Sequence, residues 1–190
     1  MGFTLLGILN SQAAGGAGAT SFDLIGTTIL SGSAKNIILS GWGSEYKHIQ
    51  IRGTVRKDGT TGDVVRVYIN GVTALDYTTH TLRGYGSGNS VTYNDGTMRL
   101  NGLGVRNYTG SNDGSYGAMV SDILDVTNTS KVPVVRTLFG AADPNHGYST
   151  NLATGIYYGS SGAVTSVTMN MWDNNFAAGT RFSVYGIRGE

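Results

Sequence analysis

The chain has 190 residues, 39% of them hydrophobic and only 13% charged, with a formal net charge of +1. That length fits one domain with a sizeable core, and the near-neutral charge supplies no field to gather nucleic acid or an anionic membrane. With no cysteine, disulfides and thiolate metal sites are excluded, and no apolar run approaches the ~18 residues a membrane-spanning helix needs.

Thirty glycines stand against two prolines, in a sequence rich in Thr, Ser, Tyr and Val, which is a composition of strands and turns. Residues 1–10, MGFTLLGILN, are apolar without a clear period, and residues 11–20, SQAAGGAGAT, form a flexible small-residue linker. The run lacks a basic leader and does not read as a signal peptide. Phe3, Leu5, Leu6, Ile8 and Leu9 together are more than a loose terminus carries. The expected organisation is an extended anchoring arm and linker over 1–20, and a single β-sandwich domain over 21–190. The arm would dock on its own domain, a sister subunit or a larger assembly.

From Ser21 the strand signals come at short intervals. Phe22 to Leu30 and Lys35 to Leu39 flank Ser31-Gly32-Ser33, a hairpin-like turn. Tyr46 to Arg56, YKHIQIRGTVR, alternates most cleanly, with Ile49, Ile51 and Val55 on one face and His48, Gln50 and Arg52 on the other. Asp58-Gly59 marks a turn before a return strand over Val64 to Ile69, ended by Asn70-Gly71. Leu75 to Leu82 is strand-like, and Gly84 to Gly117 is a polar, glycine-rich section with one island, Met98 to Val105. Ala118 to Val126 and Val132 to Phe139 follow, Pro133 placing its segment at an edge or a strand start. Asp143 to Gly147 is a turn, and Ile156 to Tyr158, Val164 to Trp172 and Arg181 to Ile187 complete the series. About ten short strands and no helical period predict an all-β fold, an antiparallel β-sandwich of jelly-roll type. Ile49, Ile51, Val55, Val65, Val67 and Ile69 are its expected core.

Catalytic and metal signatures are absent from the sequence. His48, His80 and His146 form no close pair. Asp122 and Asp125 are three apart and would face opposite sides of a regular strand, reading as solvated edge positions. Trp172 to Asn175 lacks the ligand count of a calcium loop and reads as an Asx-type turn. No catalytic, metal or cofactor site is expected, and the chain is not expected to be an enzyme. Tyr85, Tyr93, Tyr108, Tyr116 and Tyr148 lie in or beside Gly/Ser/Asn-rich stretches. Aromatic rings among small polar residues suit a sugar- or protein-binding surface, and equally suit strand ends and interfaces.

Four segments carry a resemblance: Ala19 to Ile25, Thr28 to Ala34, Tyr46 to Arg52 (YKHIQIR) and Arg181 to Arg188 (RFSVYGIR). Over roughly Ala19 to Glu190 the chain resembles small virion structural proteins of tailed bacteriophages, of the kind met in marine and cyanobacterial phages. The resemblance implies a β-rich, multimeric component of the virion, a homo-oligomer of trimeric order. It would be a capsid decoration or head-fibre protein attached by its arm to capsid or tail proteins, without nucleic acid or membrane insertion. The alternative is a tail-fibre adhesin domain that binds a host receptor or surface glycan through its tyrosines.

Overall fold

The computed structural model describes residues 22–59, 63–74, 76–85, 88–97, 100–105, 116–143, 147–159 and 161–189, with side chains described except at 63, 85, 93–97, 100–105, 141–143 and 147–149. The cleanest alternation becomes β3 (His48–Val55): Ile49, Ile51 and Val55 are fully buried while Arg52 and Thr54 face solvent. Around it stand β1 (Phe22–Ile29), β2 (Asn36–Ser40), β4 (Asp63–Ile69), β5 (Tyr77–Tyr85), β6 (Gly88–Thr97) and β7 (Leu100–Val105). The series continues with β8 (Gly117–Leu124), β9 (Val134–Asp143), β10 (Gly147–Tyr157), β11 (Ser166–Met171) and β12 (Arg181–Ile187). Among the described residues there is no helix, as expected of a chain this rich in β-branched residues and glycine.

The strands form an eight-stranded sheet of order β1-β12-β3-β8-β9-β10-β5-β6 and a four-stranded sheet of order β2-β11-β4-β7, and every pairing is antiparallel. The two sheets pack their apolar faces together. Val65, Val67 and Ile69 of β4 and Val167, Met169 and Met171 of β11 are fully buried, and they share one core with Ile49, Ile51, Ile123 and Phe182 of the larger sheet. Every residue expected in the core is there, at 0% exposure.

The expected hairpins at Ser31-Gly32-Ser33 and Asp58-Gly59 are not hairpins. β1 and β3 belong to the large sheet while β2 and β4 belong to the small one, so both connections cross the sandwich. A turn signal specifies that the chain reverses, not which sheet it rejoins. Both crossings converge on the connection before β12. The Asp58 carboxylate accepts hydrogen bonds from the Ser33 hydroxyl, from the Asn175 backbone N–H at 3.0 Å and from the Asn175 side-chain amide at 3.1 Å. Phe176, bridged to Ala34 and Lys57, plugs this end of the core with its ring edge-on to Phe182. At the far end Asn70 and Gly71 both take positive φ in the turn after β4, as a type I′ turn requires. The Asn70 side chain there ties down residues 163–166 through Ala163, Thr165 and Ser166.

Two regions differ from expectation. The polar section after Gly84 is largely strand: β5 and β6 pair as a hairpin across residues 86–87, and β10 extends from Gly147 rather than from Ile156. Here cross-strand pairing overrides low intrinsic propensity. Tyr93 lies within β6, Tyr85 at the end of β5 and Tyr148 next to the start of β10, and Tyr157 is a core residue. Pro133 lies immediately before β9, an interior strand, which satisfies the strand-start alternative.

Tyr77 of β5 spans the two sheets. Its hydroxyl accepts the Ile69 N–H at 3.0 Å and donates to the Val72 carbonyl at 2.8 Å, and burial raises its pKa well above the ordinary tyrosine value. Tyr77→Phe leaves the Ile69 N–H without that partner and is expected to cost about 1–3 kcal/mol in urea unfolding. Ile51→Ala, which opens a void in the sealed core, is expected to cost about 2–5 kcal/mol by the same measurement. Burial raises the Asp58 pKa, but the hydrogen bonds from Ser33 and Asn175 outweigh it and hold the group below the ordinary carboxylate value. A depressed folded pKa contributes stability above the unfolded value of ~3.9 that is lost as pH falls through the folded one. Asp58→Asn should therefore flatten the acid limb of the melting temperature against pH, and an unchanged limb would remove Asp58 from this role.

Candidate interaction surface

Among the described residues no group of three or more His, Asp or Glu side chains gathers to hold a metal. The carbonyls of Trp172 and Asn174, oxygens of the loop that resembled a poor calcium site, accept instead from the Lys35 ammonium at 2.7 and 3.1 Å. Asp122 and Asp125 take separate roles. Asp122 lies on the outward face of β8, an interior strand and not the expected edge. Asp125 follows β8 with φ 54°, bonded to Lys131, whose ammonium holds its pKa below the ordinary value, and its N–H donates to His48 Nδ1 at 2.8 Å.

The chemistry that stands out is on the outer face of the large sheet. At one side Phe22 of β1 stacks on Tyr185 of β12 with ring centroids 5.0 Å apart, and the Arg52 guanidinium of β3 lies 5.2 and 4.7 Å from the two rings. Arg52 Nε donates to Gln50, Gln50 donates to Asp122, and Arg136 of β9 closes the series on the other oxygen of Asp122 at 2.9 Å. The register of β12, β3, β8 and β9 sets Tyr185, Gln50, Asp122 and Arg136 side by side, and Phe22 and Arg52 join this ladder diagonally.

Beside the ladder runs an apolar row. Val120 pairs with Leu138, Leu138 with Leu152, Leu152 with Leu82 and Leu82 with Val91, one residue from each of β8, β9, β10, β5 and β6. Leu138 is 53% exposed, Leu152 40%, Leu82 53% and Val91 74%. Scattered exposed leucines are ordinary, but a contiguous outward row is not. A second, shorter row, Leu124, Val134 and Ile156, lies beyond the Asp122–Arg136 pair. The outer face of the small sheet is different: Asn36, Asn170 and Arg66 align across β2, β11 and β4, and Arg66 stacks 3.5 Å from the Trp172 ring. Its exposed apolar residue of note is Ile38.

Of the residues expected to form a binding surface, Tyr116 lies just before β8, 41% exposed, with the Arg56 guanidinium carbon 5.9 Å from its ring. Tyr93 is paired with His80 in the β5–β6 ladder, and Tyr85 and Tyr148 have their places in β5 and β10. The side chains of these three lie outside the described residues, as do all of Tyr108 and the arm residues Phe3, Leu5, Leu6, Ile8 and Leu9. Comparison with protein-family models, curated proteins and solved structures finds no match for the chain.

Arg52→Ala removes the cation beside the two stacked rings and the donor to Gln50. The expected loss is about 1 kcal/mol in urea unfolding, the scale of an exposed cation–π contact.

Proposed function

We propose that this chain is a non-enzymatic structural subunit of a tailed-phage virion, a capsid decoration or head-fibre protein that multimerises and attaches through residues 1–20. The observation that carries an assembly role is the outward apolar row over β8, β9, β10, β5 and β6. A face of that kind marks a protein–protein contact. Residence on a phage particle comes from the resemblance of the YKHIQIR and RFSVYGIR segments.

A jelly roll is the finer description of the fold that we favour. β1, β2, β3 and β4 pair in turn with β12, β11, β8 and β7. This is the pattern of one long antiparallel ribbon rolled into two sheets, and jelly rolls recur in viral capsid and lectin domains, an analogy of fold and not of site. On this description the β5–β6 and β9–β10 hairpins are insertions that widen one sheet, and most of the apolar row is on them. The competing assignment, a tail-fibre adhesin binding a glycan, draws on tyrosines in or beside Gly/Ser/Asn-rich stretches. Tyr85, Tyr93 and Tyr148 lie in strands, and the apolar row is the observation that favours assembly over it.

Deleting residues 2 to 18 is expected to leave a folded domain, by far-UV circular dichroism and thermal melt, that no longer joins virions when supplied to particles lacking the protein. Full occupancy by the truncated chain would show that the arm is not the anchor.

A further inference from the structure

We propose that the apolar row is the centre of a two-fold contact between two copies of this chain, packed sheet face to sheet face with the axis running along β10. The inference rests on the assembly reading above and names the partner of that surface. Across β8, β9, β10, β5 and β6 the row reads Val120, Leu138, Leu152, Leu82, Val91: the same residue types in the same order from either end. A rotation about the middle strand exchanges β8 with β6 and β9 with β5. It keeps each row at its own height along the strands. Leu152 then meets Leu152 of the second copy, Leu138 meets Leu82, and Val120 meets Val91. Such a contact is isologous and self-complementary, the commonest way for identical chains to associate.

The size is near the lower end of what such a contact needs. The face that the axis maps onto itself, β8 to β6, spans five strands, which at ~4.8 Å spacing and about seven residues of ~3.4 Å rise gives roughly 570 Å² per copy. Standard stable interfaces start at about 600 Å² per partner. The flanking polar row keeps its own satisfaction, because Arg136 and Asp122 are already paired within one copy and bring no unpaired charge into the contact. The chain's own arm is a poorer occupant. A segment laid across a sheet face cannot pair its backbone, since the strands' hydrogen bonds run within the sheet plane, and its N–H and C=O groups would be buried unpartnered. A second sheet has no such cost, its backbone being bonded internally. Among the described residues, the opposite, small-sheet face, with its Asn36–Asn170–Arg66 alignment, offers no comparable apolar centre.

The absence of cysteine makes the geometry directly testable. Facing sheets lie ~10 Å apart, beyond the reach of a disulfide, so the probe is a short bis-maleimide on introduced cysteines in the full chain. Leu152→Cys alone should cross-link to dimer in high yield. Leu138→Cys and Leu82→Cys should cross-link when mixed and poorly when separate. In sedimentation equilibrium the wild-type chain should dimerise at micromolar concentration. Leu138→Glu with Leu152→Glu should weaken association by roughly a hundredfold or more, each charge forced into an apolar contact costing over a tenfold step, with an unchanged circular dichroism spectrum. A monomeric wild-type chain overturns the contact. So does dimerisation that appears only after residues 1–21 are removed, which would make the arm the occupant. A trimer indifferent to the glutamate pair also overturns it, while leaving the assembly role standing. A dimer that behaves as described but never joins particles sustains the contact and sinks the virion assignment instead. If the glutamate pair fails to fold, the cross-linking pattern of the cysteine variants decides alone.

Discussion

Parity is the constraint on which this structure depends. Side chains along a strand alternate between faces, so sliding any one strand by a single residue would turn its whole apolar set outward. β3 is where that rule binds most tightly, because it is held on both sides, with Ile51 opposite Val184 of β12 and Ser121 of β8. Gly53 makes the fit specific. A Cβ there would lie 2.7 Å from the Phe182 ring, so the ring fills the space that a larger residue would claim. Ser121 and Thr137, both buried, answer each other with a 2.6 Å hydrogen bond between β8 and β9. The core thus tolerates polar groups where a neighbouring strand satisfies them.

The same parity rule makes the second face. Once Val135 and Phe139 point inward, Val134, Arg136 and Leu138 must point outward, and β9 presents apolar side chains to both sides. An interior strand of a large antiparallel sheet ordinarily alternates apolar-in and polar-out. Where that alternation fails over five adjoining strands at one height, the failure is coherent, and that coherence is the ground of the proposed assembly contact. The ladder from Phe22 through Arg52, Gln50 and Asp122 to Arg136 stiffens the adjoining part of the face, so its side chains are held in place before any partner arrives.

Much of the fold is legible in the amino acids, and the reasons are local. Ile49, Ile51, Val65, Val67 and Ile69 announce their burial by alternation alone, and β12 begins and ends where RFSVYGI does. What escapes is whatever depends on a distant partner. Gly88 to Thr97 carries only a short strand-forming run, Val91-Thr92-Tyr93, among Gly, Asn, Ser and Asp, and it becomes β6 over its whole length because β5 offers it a ladder. The sheet change after β1 and after β3 is invisible because Asp58 finds its partners in Ser33 and Asn175. The apolar row could be suspected only from VPVVRTLF, where apolar residues occupy both parities. Its other members come from segments scattered between residues 82 and 152, and only the register aligns them.

The place of β12 has a consequence for how the protein is made. It lies between β1 and β3 and hydrogen-bonds to both, and it brings Thr27 within 2.9 Å of Ser183, 156 residues further along. While the chain leaves the ribosome, β1 therefore waits for its partner until residues 181–187 have been made, and β3 waits for the same strand. Contacts of such separation form late and slowly. The nascent chain must carry exposed strand edges for roughly 8 to 30 seconds at ordinary elongation rates of ~5–20 residues per second. β12 then enters as a closing wedge, so the large sheet exists as one piece only once residues 181–187 have been made.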